Sequence, residues 1–225
     1  MVRPAIRPWL QLSAWFAKPD PSGNAVVAAG DGVTGNARLT STTGMVLLVL
    51  LAVEGATVLD VRGMITLHVF LGTLLLGPVA LKVATTVFRF LRYYAGSAEY
   101  VRRGPPPRGL RMLGPLVILL SVTLLGTGVG LLAVRLGRGG LLLAAHKLNF
   151  IGWFAVMTVH VLGHLWEASV TSWQELRQLS RRRWLRLAAV VAALAIGVGV
   201  AAAVLPAASP WIHRPDGRSG HHSHD

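Results

Sequence analysis

The sequence contains no cysteine, and this absence excludes several classes of site. The chain cannot form disulfides, thiolate zinc sites, cysteine-ligated iron–sulfur clusters or thioether-linked haem. Charge is also scarce, because only 14% of the 225 residues are charged, against about 25% in soluble domains. Hydrophobic residues make up 53% of the chain and are gathered into long runs. This composition predicts a membrane protein.

Five apolar runs are long enough to cross a bilayer, for which a helix needs about 20 residues. We expect the spans at about 42–59, 64–88, 112–134, 141–166 and 187–205. Two connections, 60–63 and 135–140, are short enough to make the helices that they join antiparallel neighbours. The predicted fold class is all-α: a polytopic membrane protein with a four-helix up-and-down bundle and a fifth, peripheral transmembrane helix.

The basic residues are unevenly distributed, and their distribution predicts the orientation. Fifteen Lys and Arg fall in the N-terminal arm and in the second and fourth connections, whereas five fall in the first and third connections and the tail. We therefore expect a multi-pass protein of the inner (plasma) membrane. By the positive-inside rule, its N-terminus lies in the cytoplasm and its C-terminus lies outside. Topology therefore accounts for most of the net charge of +13, and nucleic acid is not an expected partner.

The same pattern divides the chain into four regions. Residues 1–40 are a cytoplasmic N-terminal arm, in which the Gly/Asn-rich stretch 18–39 predicts a loop. Residues 41–170 are the four-helix core, and 171–206 are a cytoplasmic connection with the fifth helix. Residues 207–225 are an extracytoplasmic tail whose clustered histidines offer only weak metal binding, so an unstructured tail without a specific role is the favoured interpretation.

Four of the eight histidines lie inside the predicted spans: His68, His146, His160 and His164. Ionisable residues at membrane depth are costly and usually face the bundle interior with a partner. His68 lies about five residues into helix two and His146 about six into helix four, and both helices run inward from the outer face. Two imidazoles at matched depth in a four-helix core favour bis-His ligation of a haem. Interhelical hydrogen bonding is the alternative role.

The surroundings of this histidine pair fit a flat, anionic macrocycle. Four glycines of helices two and three would leave room for it: Gly72, Gly126, Gly128 and Gly130. Basic residues in the two outer connections are expected to pair with haem propionates: Arg62, Arg135 and Arg138. Each hairpin thus has an Arg/Gly tip followed by a His in the next helix, which is a loose repeat.

A second spacing adds a family resemblance. His146 and His160 are 14 residues apart, so they share a helix face and are separated by about 21 Å along the axis. Together with His68 and the Thr43-Gly44 and Thr127-Gly128 pairs, this spacing resembles the bacterial membrane b-type cytochromes, the di-haem cytochrome b subunits, over about residues 39–167.

The resemblance implies haem b and electron transfer between membrane quinone and a partner redox protein on the outer face. It implies that His68 and His146 ligate the iron and that His160 is a further cofactor-binding residue. Any enzymatic role would be that of an electron-transfer subunit of an oxidoreductase.

Lys82 interrupts the family pattern. It stands 14 residues after His68, where a second haem would need its other ligand. Lysine ligates iron only when neutral, a form that burial favours. We therefore expect one haem, with Lys82, His160 and His164 forming a polar pocket, and leave a second haem open.

Glu54 lies in helix one at the level of the proposed haem and offers a carboxylate to accept protons from a quinol. A hydrogen bond to Thr57 or to a neighbouring helix is its alternative role.

Two other functions stay open for the whole chain. One is a small proton-linked transporter or channel, with Glu54, Lys82, His160 and His164 as a relay. The other is a non-catalytic membrane anchor whose histidines only pack.

Overall fold

The computed structural model describes residues 31–102, 108–134, 139–177 and 181–212, and these residues are helical apart from short turns, with no strand among them. The seven longer helical segments are α1 (Asp31–Leu59), α2 (Ile65–Leu74), α3 (Leu76–Tyr94), α4 (Ala98–Arg102), α5 (Arg108–Ala133), α6 (Gly140–Arg177) and α7 (Arg181–Val204). A 3-10 turn, Leu205–Ala208, and the short helix α8 (Ser209–Ile212) follow.

Five helical stretches have the length and hydropathy to cross a membrane. They are Gly32–Leu59, Ile65–Tyr94, Met112–Ala133, Gly140–Trp166 and Arg182–Trp211. The second stretch combines α2 and α3, and the fifth runs from α7 into α8. The number and order of the predicted spans are confirmed, as is the all-helical fold class of a multi-pass membrane protein.

The first helix begins earlier than the sequence predicts. The Gly/Asn-rich stretch up to residue 39 was expected to be a loop, but α1 begins at Asp31, so the prediction is wrong for residues 31–39. Tertiary contacts override the low helix propensity here. The Asn36 side-chain amide donates to the Thr85 carbonyl of α3 at 3.2 Å, and Gly35 packs against the Arg186 guanidinium of α7. Residues 1–30 of the predicted arm lie outside the described residues.

The far end of the chain is also more structured than expected. Residues 207–212 of the predicted tail continue as helix, and Ala208 is completely buried. The histidine-rich segment 213–225 lies outside the described residues.

The connection between α1 and α2 is a tight turn over residues 60–64. The Gly63 amide donates to the Asp60 carboxylate at 3.0 Å, and the Met64 amide donates to the Asp60 carbonyl at 3.0 Å. This turn reverses the chain and holds α1 and α2 antiparallel. We call this end of the helices the turn end, and the opposite end, where Arg182 and Arg186 lie, the basic end.

The helices have a definite order of neighbours. α5 packs along α6, α6 also packs along α1, α1 packs along α2 and α3, and α2 touches α5. α7 packs mainly against α2 and α3 and also contacts α1. The fifth span therefore adjoins the second and first spans.

Pro78 shapes the surface on which α7 packs. Proline has no N–H, so the Leu74 carbonyl loses its partner within the second span, and α2 ends there. That carbonyl lies against Gly197 of α7, while Gly77 lies against the Ala193 carbonyl. A Cβ atom on either glycine would collide with the facing backbone. Small residues thus allow backbone contact between the second and fifth spans, as in other membrane helix pairs.

Replacing Gly197 with Leu should destabilise the protein by about 1–3 kcal/mol, because the new side chain would push α7 away from Leu74. The free energy of unfolding in detergent micelles measures this effect. Gly199→Leu is the matched control, because nothing lies within 4 Å of a Cβ built at Gly199. Equal destabilisation by the two changes would contradict the contact-based explanation.

Candidate functional site

At the turn end, the His68 ring is held by two residues of α1. Its Nδ1 lies 2.9 Å from Glu54 Oε1 and 3.0 Å from Thr57 Oγ1. The Thr57 hydroxyl donates its proton to the Glu54 backbone carbonyl at 2.6 Å, so this hydroxyl accepts from the ring. These acceptors assign the proton of the neutral ring to Nδ1, which leaves its lone pair on Nε2.

His146 is held in the same way by α5. Its Nδ1 lies 3.0 Å from Thr127 Oγ1, and the Thr127 hydroxyl donates to the Thr123 carbonyl at 2.8 Å. The Thr127 hydroxyl, as an acceptor, assigns the ring proton to Nδ1 and the lone pair of the neutral ring to Nε2, as at His68.

The two hairpins therefore contain the same interhelical hydrogen bond, in which a threonine of the first helix orients a histidine of the second. The helix that carries His68 also touches α5, the helix that holds His146. The sequence analysis singled out both histidines but missed Thr57 as the partner of His68 and gave Thr127 no bonding role. The signal was present, because each threonine lies near the turn end of the helix that precedes its histidine.

The glycines near these rings have roles that differ in part from the expected one. Gly128 lies beside His146, since a Cβ there would be 3.2 Å from the ring carbon Cε1. A Cβ at Gly72 would be 3.4 Å from Glu54 Oε1, and one at Gly130 would be 3.3 Å from Leu142. Nothing lies within 4 Å of a Cβ at Gly126. Gly72 and Gly128 therefore make room for the anchoring carboxylate and for the imidazole itself.

Only one of the three arginines proposed to pair with haem propionates lies among the described residues. Arg62 is exposed in the 60–64 turn, six residues before His68. Arg135 and Arg138 lie outside the described residues. Pairing of these arginines with an anionic group stays a prediction.

A second polar cluster lies on the basic-end side of the first. The Lys82 ammonium donates to the Thr40 carbonyl at 2.7 Å and lies against Gly44, where a Cβ would be 2.9 Å from Nζ. The His160 and His164 ring centroids are 4.8 Å apart, and His160 interacts electrostatically with Lys82. The structure thus brings together the three residues expected to form a polar pocket. We call this set, with Thr40, the Lys82 cluster.

The two clusters differ in how their histidines are held. His68 and His146 each have Nδ1 engaged, whereas His160 Nδ1 is buried without a hydrogen-bond partner in the described part of the chain. A ligating imidazole normally has its second nitrogen oriented by an acceptor. The turn-end pair thus has the bond on Nδ1 that commonly orients a ligating imidazole, whereas His160 Nδ1 has none in the described part of the chain and the Lys82 amine is bonded to Thr40.

Within the described ranges, no group of three or more His, Cys, Asp or Glu side chains could hold a metal ion. Axial ligation of haem requires only two side chains, because the macrocycle supplies the other four iron ligands.

Comparisons with known proteins add no further constraint, since no family model, curated protein or solved structure matches this chain. The functional interpretation rests on the site geometry.

Replacing Thr127 with Val should remove the acceptor of the His146 ring and destabilise the protein by about 0.6 kcal/mol, and by no more than about 1.7 kcal/mol, the range measured for interhelical hydrogen bonds in membranes. Unfolding in micelles measures the change. Thr158→Val is the control, because the Thr158 hydroxyl bonds to the Phe154 carbonyl of its own helix. An equal effect at both positions would show that the bond to the ring contributes nothing.

Proposed function

We propose that this chain is a membrane b-type cytochrome that holds one haem between His68 and His146. It would pass electrons between membrane quinone and a partner redox protein at the turn end, which the distribution of basic residues predicts to be the outer side. The neighbour order of the first four spans supports a four-helix bundle with the second and fourth spans on a diagonal and α7 outside it.

One observation carries the proposal: two histidines from different hairpins each have Nδ1 hydrogen-bonded to a threonine of the preceding helix. Fixing Nδ1 as the donor selects the tautomer in which Nε2 can ligate iron. If the histidines served only helix packing, one hydrogen bond from either ring nitrogen would be enough at each of them. Packing alone would not require Nδ1 to be the bonded nitrogen at both histidines. The repeated choice therefore favours ligation.

The haem, when bound, supplies reversible one-electron chemistry. His68 and His146 would hold the haem through their imidazoles, and a haem held by two histidines would transfer electrons rather than activate oxygen. Glu54 orients His68 and adds negative charge beside it, so we assign Glu54 a positioning and electrostatic role. The surrounding apolar helices keep water from the rings and lower the local dielectric.

A reduced-minus-oxidised visible spectrum of the detergent-purified protein tests the ligand assignment. The wild-type protein should show a sharp reduced α-band and contain one haem per chain, and both His68→Ala and His146→Ala should lose the band. His164→Ala is the control and should retain it, because His164 belongs to the Lys82 cluster. A colourless wild-type protein, or a band that survives both changes, would refute the assignment and favour the transporter or the anchor.

Replacing Glu54 with Gln should raise the midpoint potential by tens of millivolts. The change preserves the shape of the side chain but removes negative charge that stabilises the oxidised, more positive iron. A shift of about 60 mV in a one-electron potential corresponds to about 1.4 kcal/mol. Potentiometric titration measures the shift, and Glu99→Gln, at an exposed position on α4, should leave the potential unchanged. A fall in potential at Glu54→Gln would contradict this role.

A further inference from the structure

An open groove of about 600 Å³ lies at the basic end, where α1 and α7 begin. The α1 glycines Gly32 and Gly35 line one side of it, and Arg182 and Arg186 of α7 line the other. The two arginines are four residues apart, so they lie next to each other on one face of their helix. Because the glycines carry no side chain, the backbone of α1 leaves space beside the guanidinium groups.

The lining of this groove is positively charged. Among the described residues that line it, Arg182 and Arg186 are basic and none is acidic. The Arg186 guanidinium lies beside α1, since a Cβ built at Gly35 would be 3.5 Å from its Nη1. Arginine presents N–H donors whose spacing matches the oxygen atoms of a phosphate group. The groove is therefore suited to an anion that carries a phosphate.

The depth of the groove in the bilayer indicates where this phosphate comes from. The first membrane-spanning stretch begins at Gly32 and has 28 residues, so it is about 42 Å long. This length exceeds the apolar layer, about 30 Å thick, and equals that of a bilayer with its headgroups, about 40–45 Å. Gly32 therefore lies at the level of the lipid headgroups. Arg182, which lines the same groove, is the first residue of the fifth stretch and lies at that level too.

Two leucines give the groove an apolar part. Leu39 lies seven residues, or about 10 Å, further along α1 than Gly32, so it reaches the apolar layer. Leu185 also lines the groove and is 66% exposed. An acyl chain can contact both leucines while its phosphate stays at the arginines, whereas a soluble phosphate compound makes no use of them.

We propose that this groove binds the headgroup of an anionic phospholipid, with Arg182 and Arg186 bonded to its phosphate and Leu39 and Leu185 in contact with an acyl chain. Basic pockets between membrane helices on the cytoplasmic side bind headgroups in this way, and the distribution of basic residues predicts that the basic end is cytoplasmic. A zwitterionic lipid would bring its own cation to the arginines. The bound lipid joins α7 to α1, and it does so whether or not haem is present.

Native mass spectrometry of the full chain tests the proposal, with the protein delipidated in detergent and then given dioleoylphosphatidylglycerol or dioleoylphosphatidylcholine. The wild-type protein should bind one phosphatidylglycerol at least fivefold more tightly than phosphatidylcholine. Arg182→Gln and Arg186→Gln should each weaken phosphatidylglycerol binding about fivefold, the contribution expected of one arginine near an anionic lipid. Arg102→Gln removes an exposed arginine of α4 and is the control, which should change binding less than twofold.

A second pair of variants separates a shaped groove from general attraction to positive charge. Gly32→Leu keeps both arginines and places a side chain in the groove, where nothing lies within 4 Å of a Cβ at this position. Leucine also favours the helix more than glycine does, so the fold is preserved. This change should weaken phosphatidylglycerol binding at least fivefold, whereas Gly199→Leu, which lies outside the groove, should leave binding unchanged.

Three results would overturn the proposal. The first is equal binding of the two lipids, and the second is binding that Arg102→Gln weakens as much as Arg186→Gln does or that Gly32→Leu leaves unchanged. The third is binding of glycerol 3-phosphate as tightly as phosphatidylglycerol, which would make the groove a site for a soluble phosphate compound. If Arg186→Gln does not purify as a monodisperse protein, Arg182→Gln, at an exposed position, decides the outcome.

Discussion

The hydrogen bond between a threonine hydroxyl and a histidine Nδ1 is the interaction on which the turn-end site depends. Inside a membrane a threonine usually bonds to a carbonyl of its own helix, as Thr43 does to Leu39 at 2.8 Å. Thr57 and Thr127 make that bond and accept a second one from an imidazole. Each hydroxyl thereby joins two helices and holds the imidazole by Nδ1, which is the arrangement that the proposed haem site requires.

Close backbone contacts serve two different purposes in this fold. Gly77 and Gly197 bring the second and fifth spans together around the carbonyl that Pro78 releases. Gly44 and Gly128 instead admit a side chain, the Lys82 amine in one case and the His146 ring in the other. Only the first kind of contact is governed by helix packing alone. The second kind occurs where polar side chains of different helices meet, which is why both glycines mark the candidate sites.

The spans were predictable because hydropathy and length decide them, and the grouping of Lys82 with His160 was predictable from the 14-residue spacing. The start of α1 was not, because Gly35 and Asn36 are poor helix formers and become helical through contacts with Arg186 and Thr85. The partners of His68 and His146 also depend on the register between the helices of each hairpin. The sequence composition does not specify this register to within one helical turn. A shift of one turn between the two helices would move the threonine hydroxyl out of reach of the histidine ring.

The two clusters hold their polar side chains in different ways. At the turn end, every polar atom that orients the histidines accepts a hydrogen bond from Nδ1, an arrangement that suits a metal ligand. Toward the basic end, the Lys82 amine donates to the Thr40 carbonyl, and His160 Nδ1 is buried without a partner in the described part of the chain. A lysine in place of a histidine 14 residues after His68 is enough to create this difference, because its amine reaches α1 and bonds to Thr40. The break in the histidine pattern is thus the feature that distinguishes the second cluster from the histidine–threonine pairs of the turn end.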